Sequence, residues 1–384
     1  MIVLLIDALG WELAQRTPGF AECLSHRRRL DTVLGFSSGA LPTMFTGRMP
    51  RDHGRFLMYR RARGADTPFR GFQILGRLPR RVRESGMLTR ALTRLVQRRG
   101  VRGYFNLYDV PRGLLAEFDL AERDDMFSPR GLPLPSLWDT LERSGVAWEG
   151  RNWRTPETEN IAWLESRAAE GGSRGPRPEL LFFYTADLDA RLHAEGSRGA
   201  GVRGALERYD ALIRRLASGA RAAGEEPWIY VVSDHGMVDV TATEDVMGRL
   251  ERLEVRWPRD YVAFFDSTLA RFWWKTPGAR DRVRAALEGA RGRWLGEAEL
   301  ERESVAFEDH VYGEDLFLLD PGVLMVPSFM GRSRLAAMHG YDPSHADMAA
   351  LLWSNRPIPE GVLHVRDVKA HLESELLLLG AEAA

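Results

Sequence analysis

Ile2-Val3-Leu4-Leu5-Ile6-Asp7 opens the chain with five apolar residues and then a carboxylate. A short apolar run bounded by polar residues reads as a strand buried on both faces of a parallel sheet. The pattern returns at Leu180-Leu181-Phe182-Phe183-Tyr184, which leads to Asp187 and Asp189, and at Ile229-Tyr230-Val231-Val232, which leads to Asp234-His235. Open α/β sheets carry their chemistry just beyond the carboxyl ends of the strands. Three distant segments are therefore predicted to bring carboxylates to one edge of one sheet.

The rest of the chain fits that frame. Helices are predicted near 11–24, following the turn Gly35-Phe36-Ser37-Ser38-Gly39, and over 136–143, 157–169, 205–222 and 368–379. Further strands are expected at 146–149, 263–274, 315–319 and 349–353, and Thr276-Pro277 should open a helix to about 290. Alternating strands and helices argue for an α/β fold, a mainly parallel central sheet with helices on both faces. From 55 to 131 the pattern changes to Arg, Gly and Pro with little strand character. The expected organisation is a catalytic core of 1–54 and 132–384, with 55–131 inserted as an Arg-rich cap.

Composition narrows the chemistry. The single cysteine, Cys23, excludes an internal disulfide and a thiolate metal cage, so metal ligands must be His or carboxylate. No run is long and apolar enough to span a membrane. Met1 leads straight into a strand with no signal peptide before it, so a cytoplasmic protein is expected. Net charge is −1, yet 48–103 holds 16 arginines against Asp52, Asp66 and Glu84. Such asymmetry suggests an anionic partner or surface for that segment. That the basic residues throughout are nearly all Arg reads as base composition.

Asp189 and His193 stand four apart, so on a helix they share a face and suit one ion. Asp234 and His235 are adjacent and would diverge on a regular strand, so a turn is needed to bring both to one ion. His339-Gly340 offers another imidazole from a loop. Taken singly these are a cap, a surface pair and a loop histidine. Together with Asp7 they make six ligands that divide between two ions. Two-ion sites clamp attacking and leaving oxygens in phosphoryl transfer, and this ligand set suits Zn²⁺, with Mn²⁺ second. The nucleophile would be Ser37 or Ser38, in a turn feeding a helix whose N–H groups favour an anion.

In order along the chain, Val3-Leu4-Leu5-Ile6-Asp7, Ser37 through Thr46-Gly47 with Pro50 and His53-Gly54, Asp189 to His193 with Gly196, Ser233-Asp234-His235-Gly236-Met237, and His339-Gly340-Tyr341 resemble the alkaline phosphatase superfamily. The likeness is closest to its type I phosphodiesterase/nucleotide pyrophosphatase-like branch and runs through most of the chain except 55–131. It implies one ion on Asp189, His193 and His339, and another on Asp7, Asp234 and His235. It also selects Ser37 over Ser38, because the nucleophile lies nine residues before the Thr of the Thr-Gly pair, here Thr46. The implied reaction passes through a covalent phosphoserine on a small phosphorylated substrate. Two features depart from the branch. Its nucleotide pyrophosphatases use Thr where Ser37 stands. They also carry a phosphate-binding Asn after the His-Gly, where this chain reads Arg55-Phe56-Leu57-Met58-Tyr59-Arg60-Arg61; Arg60 and Arg61 are the candidates to replace that contact. The sulfatase Cys/Ser-x-Pro-x-Arg signature is absent around Ser37.

A phosphate monoesterase or phosphomutase of the same fold is the alternative reaction. A non-catalytic protein binding membrane or polyanion through the Arg-rich segment is the alternative of another class. In that segment Leu88, Ala91, Leu92, Leu95 and Val96 follow helical spacing, with Arg90, Arg94, Arg98 and Arg99 elsewhere around the turn. Such a helix can cover the core or lie on an anionic membrane surface. No recognised module accompanies the charge, so nucleic acid is not expected. Asn106, Tyr108 and Asp109 lie beyond it in a plausible lid. Nothing in the sequence fixes an oligomeric state.

Overall fold

The computed structural model describes residues 1–64, 66–169, 179–222 and 227–382. Ile2–Ile6 lies near the middle of a six-stranded sheet, parallel to Ile229–Val232 on one side and to Leu180–Thr185 on the other. Trp148–Arg151 extends the parallel part beyond Leu180–Thr185. Ala350–Ser354 runs antiparallel to Ile229–Val232, and His26–Leu30 pairs antiparallel with it at the edge. The sheet is therefore mainly parallel, as the apolar runs predict.

Side chains alternate across a strand, so the first strand feeds two cores. Leu4 and Ile6 pack with Leu188, Leu192, Leu206 and Tyr209, from the helices Asp187–Glu195 and Ala200–Ala222. Val3 and Leu5 pack on the opposite face with Leu41, Phe45, Trp138 and Leu372, from Ser37–Thr46, Leu137–Ser144 and Val368–Glu382. The helix at 137 is entered through a reciprocal Ser136–Asp139 capping box and closed by Gly145 in the left-handed region.

A second sheet of four antiparallel strands stands beside the first, in the order Tyr261–Phe265, Leu269–Trp274, Asp315–Leu319, Gly292–Trp294. The single strand expected at 263–274 is a hairpin. Asp266 N donates to Leu269 O across Ser267-Thr268, a polar interruption with turn chemistry inside an apolar run. The helix expected from 276 begins only at Ala279, because Gly278 takes φ of 76° and uses the preceding residues as a turn. The strand expected at 146–149 is Trp148–Arg151.

Segment 55–131 packs on this second sheet. Tyr59–Arg61 pairs antiparallel with Phe118–Leu120, the strand content that an Arg/Gly/Pro-rich composition hides. Tyr59, Phe69, Leu92, Val96 and Phe118 share one apolar cluster with Phe264 and Trp273. The helix Gly86–Arg98 divides the stripe expected there: Leu92 and Val96 are buried, whereas Ala91 and Leu95 face out, since only the row at every fourth residue from Leu88 meets the core. Among the described residues, no helix is long and apolar enough to cross a membrane.

One buried pair ties these layers together. Arg271, fully buried, donates to Asp266 Oδ2 at 2.8 Å and to Tyr59 O at 2.7 Å. Removing one partner of a buried pair leaves the other charge uncompensated. Arg271→Met should lower the unfolding free energy by about 3–5 kcal/mol, read by urea titration, and Arg271→Met/Asp266→Asn should recover part of that loss. Equal stability of Arg271→Met and wild type would show that the pair holds nothing.

Candidate active site

The registers explain the site. Ile2 pairs with Leu181 and with Ile229, so the three central parallel strands end together. Asp7, Asp189 and Asp234-His235 follow those ends directly. Beyond Val232 the backbone of another segment passes so close that a Cβ on Gly236 would lie 2.1 Å from Asp347 O. Only glycine fits against it, and just before it Asp234 and His235 both reach one ligand group with Asp7. His339 follows Ala337–Met338, which pairs antiparallel with Val238–Asp239, so the third strand's own continuation carries the late histidine to the edge. Gly340 next to it has φ of 84°, and a Cβ there would lie 2.7 Å from the Phe36 ring.

All six predicted ligands come together. The side chains of Asp189, His193 and His339 offer ligand atoms within 4.8 Å of one another, and so do those of Asp7, Asp234 and His235. The two groups touch where the His235 and His339 rings stack, with centroids 4.0 Å apart. His193 Nδ1 faces Ala337 O at 2.9 Å and His235 Nδ1 faces Gly236 O at 3.0 Å, which leaves each Nε2 toward the cluster. A backbone carbonyl on the far ring nitrogen is what orients a ligating imidazole. Asp187, the other carboxylate after the second strand, pairs with Arg191 and Arg208 instead.

Ser37 opens the helix Ser37–Thr46, and its Oγ lies 2.9 Å from His235 Nε2 and 3.5 Å from Asp7 Oδ1. Ser38 Oγ turns the other way, donating to Phe56 O at 3.4 Å. The geometry thus separates two serines that the residues alone left equivalent.

The electrostatics are those of a site short of positive charge. Asp7 is pushed well above the ordinary carboxylate range by burial and by Asp234 and Asp189, against the hydrogen bond it accepts from Tyr184. His339 is pushed well down by burial and by the neighbouring His235 and His193. Burial opposes charge on His193, yet the hydrogen bond to Asp189 and its carboxylate hold the imidazole above its usual pKa. Asp189 Oδ1 and Asp234 Oδ2 are buried and face only imidazoles of the cluster, His193 Nε2 and His235 Nε2 at 3.3 Å each, and His339 Nδ1 has no hydrogen-bond partner among the described residues. Buried lone pairs left unmatched cost stability. Three carboxylates and three imidazoles with free lone pairs are what divalent cations require, so these residues fit two such ions.

Arg60 and Arg61 are held elsewhere, Arg60 on Asp119 and Arg61 on Glu117. Arg55 lines the same cavity as Ser37 and Asp7. It is 5% exposed; Nη2 donates to Gly131 O at 2.8 Å, while Nε and Nη1 have no hydrogen-bond partner among the described residues. His53 serves this arrangement: Nε2 meets Thr43 Oγ1 at 3.0 Å and Nδ1 accepts from Arg55 N. The residues alone pointed to the His-Gly segment without choosing Arg55. Tyr184 and Glu122 were also missed. Only strand register places Tyr184 beside Leu5 and its hydroxyl on Asp7. Glu122 accepts from Tyr104 N at 3.0 Å. Tyr108 lines the cavity, Asn106 O accepts from Tyr59, and Asp109 faces Arg332. The cavity, about 590 Å³, is walled largely by Met58, Met126, Met325, Met330, Phe127 and Trp153.

Burial pushes the Glu122 carboxyl up to about 7, with Tyr104 N–H and Arg55 opposing. A carboxyl raised on folding adds stability in its protonated form, in full below its unfolded pKa and lost as pH rises through the folded value. Wild type should therefore lose about 3 kcal/mol relative to Glu122→Gln between pH 4.5 and pH 8, followed by denaturant midpoints; parallel pH profiles would contradict it.

The family model described as type I phosphodiesterase / nucleotide pyrophosphatase matches residues 1–316. No curated protein matches the chain by sequence. Murine ectonucleotide pyrophosphatase / phosphodiesterase 5 superposes with a TM-score of 0.65 at 17% identity, covering 98% of this chain and 95% of its own. The human protein gives 0.65 at 14% identity, covering 98% and 94%. An inactive form of the murine protein in complex with AMP gives 0.64 at 18%, covering 98% and 94%. At these identities the likeness is one of fold.

Proposed function

Because this chain belongs to the type I phosphodiesterase / nucleotide pyrophosphatase family, a metal-dependent family of phosphate-ester hydrolases, we propose that it cleaves phosphodiesters with Ser37 as nucleophile and two bound divalent ions. The observation that carries this is the pair of ligand triads with unmatched lone pairs, one of them within 2.9 Å of Ser37 Oγ. Asp7, Asp234 and His235 would hold the ion beside Ser37, and Asp189, His193 and His339 the other. Zn²⁺ suits this mixed set best, with Mn²⁺ next. Bound there, such ions acidify the hydroxyl and neutralise charge on the phosphoryl oxygens.

The protein's own groups do the rest. Ser37 Oγ attacks phosphorus, its proton passes to solvent, and the P–O bond to the leaving alkoxide or phosphate breaks. The product of this step is a phosphoserine, which water then hydrolyses to free the second product. The N-terminal N–H groups of Ser37–Thr46 favour the anionic phosphoryl group. Tyr184, donating to Asp7, fixes one carboxylate oxygen and leaves the other toward Ser37. Arg55, with two unpartnered nitrogens, supplies the donor to a substrate oxygen that the family's Asn would otherwise provide.

A diester is favoured over a monoester because the cavity continues past Ser37 into an apolar chamber that a second substituent can fill. The AMP bound to the murine relative makes nucleotide diesters the first class to test.

Ser37→Ala should lower kcat on an aryl phosphodiester on the order of 10³-fold or more, with folding unchanged by circular dichroism, and chelation should abolish activity until Zn²⁺ or Mn²⁺ is returned. Full activity in either case refutes the mechanism. Arg55→Met should raise KM by about tenfold, with kcat changed less, when initial rates are compared with wild type. An unchanged KM would remove Arg55 from substrate binding.

A further inference from the structure

The surface of segment 70–99 is unlike the rest of the molecule. It contains nine arginines and a single acidic residue, Glu84. Large apolar side chains stand exposed among them: Ile74 at 62%, Val82 at 44%, Met87 at 74% and Leu95 at 37%. The helix Gly86–Arg98 orders part of this surface. Leu92 and Val96 are buried, and the opposite face presents Met87, Arg90, Ala91, Arg94, Leu95 and Arg98, spaced three and four apart along one exposed stripe. Arg77, Arg81, Arg90, Arg94 and Arg98 have no carboxylate partner among the described residues.

We propose that this face is a docking surface for an anionic lipid bilayer. Cations without partners gain from a negative surface. Exposed Met, Ile, Val and Leu gain only where an apolar phase lies within reach, and arginine can keep its head at the phosphate level while its stem follows them. A nucleic acid or other soluble polyanion rewards the arginines alone and leaves the apolar side chains in water. The combination of both along the exposed stripe of the helix, with more of each beside it in 70–83, is what selects a membrane.

The position of the surface gives the docking a use. Arg332 joins Glu84 Oε1 at 3.1 Å and faces Asp109 at 3.8 Å, fastening the Arg80–Arg83 turn to the loop whose Met330, Gly331 and Ser333 line the cavity. A molecule seated by this face holds the methionine-walled chamber beside the bilayer. The surface is distinct from Ser37 and the ligand triads, so its test does not depend on the proposed reaction.

Full-length protein is sedimented with phosphatidylcholine vesicles, alone or with about one third phosphatidylserine. Binding is expected with phosphatidylserine, and higher salt should weaken it as charges are screened. Arg77→Glu/Arg81→Glu/Arg94→Glu should weaken partitioning at least about fivefold per arginine. Ile74→Ser/Met87→Ser should weaken it at least about threefold at the same net charge. Thermal midpoints and hydrolysis of a soluble ester should be unchanged in both variants, because every altered side chain is exposed and none lines the cavity. No binding to the anionic vesicles overturns the proposal. So does unchanged binding by Ile74→Ser/Met87→Ser, or full competition by a single-stranded oligonucleotide to which that variant binds as tightly as wild type.

Discussion

Three carboxylates, Asp7, Asp189 and Asp234, repel one another at a sheet edge from which water is largely excluded, and the molecule is organised around holding them there. Unit charges a few ångströms apart interact weakly in water and several-fold more strongly in the protein interior. Among the described residues no arginine or lysine pairs with any of the three; their partners are imidazoles, and burial pushes His339 away from charge. What the structure does supply is restraint. Strand register fixes the origins of the side chains, Gly236 lets the Asp347 backbone pass close, Gly340 admits a left-handed turn, and Tyr184 occupies one oxygen of Asp7. Such a cluster is tolerable only where bound cations or protons balance it, so the architecture and the chemistry have one cause.

That cause also explains how much could be read in the residues. Apolar runs ending in Asp are local signals, and each strand end in the parallel sheet follows from them with little ambiguity. The helical spacing of Asp189 and His193 is equally local. Long-range information is where reading stopped. Tyr184 looks like any aromatic in a buried strand until Leu5 is placed beside it. Arg55 looks like one arginine among many until its guanidinium is found buried with two nitrogens unmatched, while Arg60 and Arg61 are bound to Asp119 and Glu117. The hairpin at 261–274 and the short pairing of Tyr59–Arg61 with Phe118–Leu120 were hidden because aromatic continuity in one, and arginine content in the other, masked the turn and the strand.

The two halves of the cavity answer different physical demands. The ligand edge is polar, rigid and set on the ends of strands. The opposite wall is built mainly from the second sheet's neighbourhood and from 55–131, and is rich in methionine, whose unbranched side chain adapts to irregular shapes. A site divided in this way keeps the reacting atoms in fixed geometry while leaving the substituent's pocket free to vary in shape.

The order of these pieces along the chain has its own consequence. Asp7 lies at the first strand's end, Ser37 soon after it, and His339 follows the whole second sheet. The contacts that join the triads, Asp7 with His235 and Asp189 with His339, link segments far apart in sequence, and long intervening loops must close before such contacts form. During synthesis the serine and the first carboxylate therefore leave the ribosome long before the histidine that completes the second triad. Until nearly all of this chain is made, the two triads are not both complete, and a product cut short within the second sheet lacks His339.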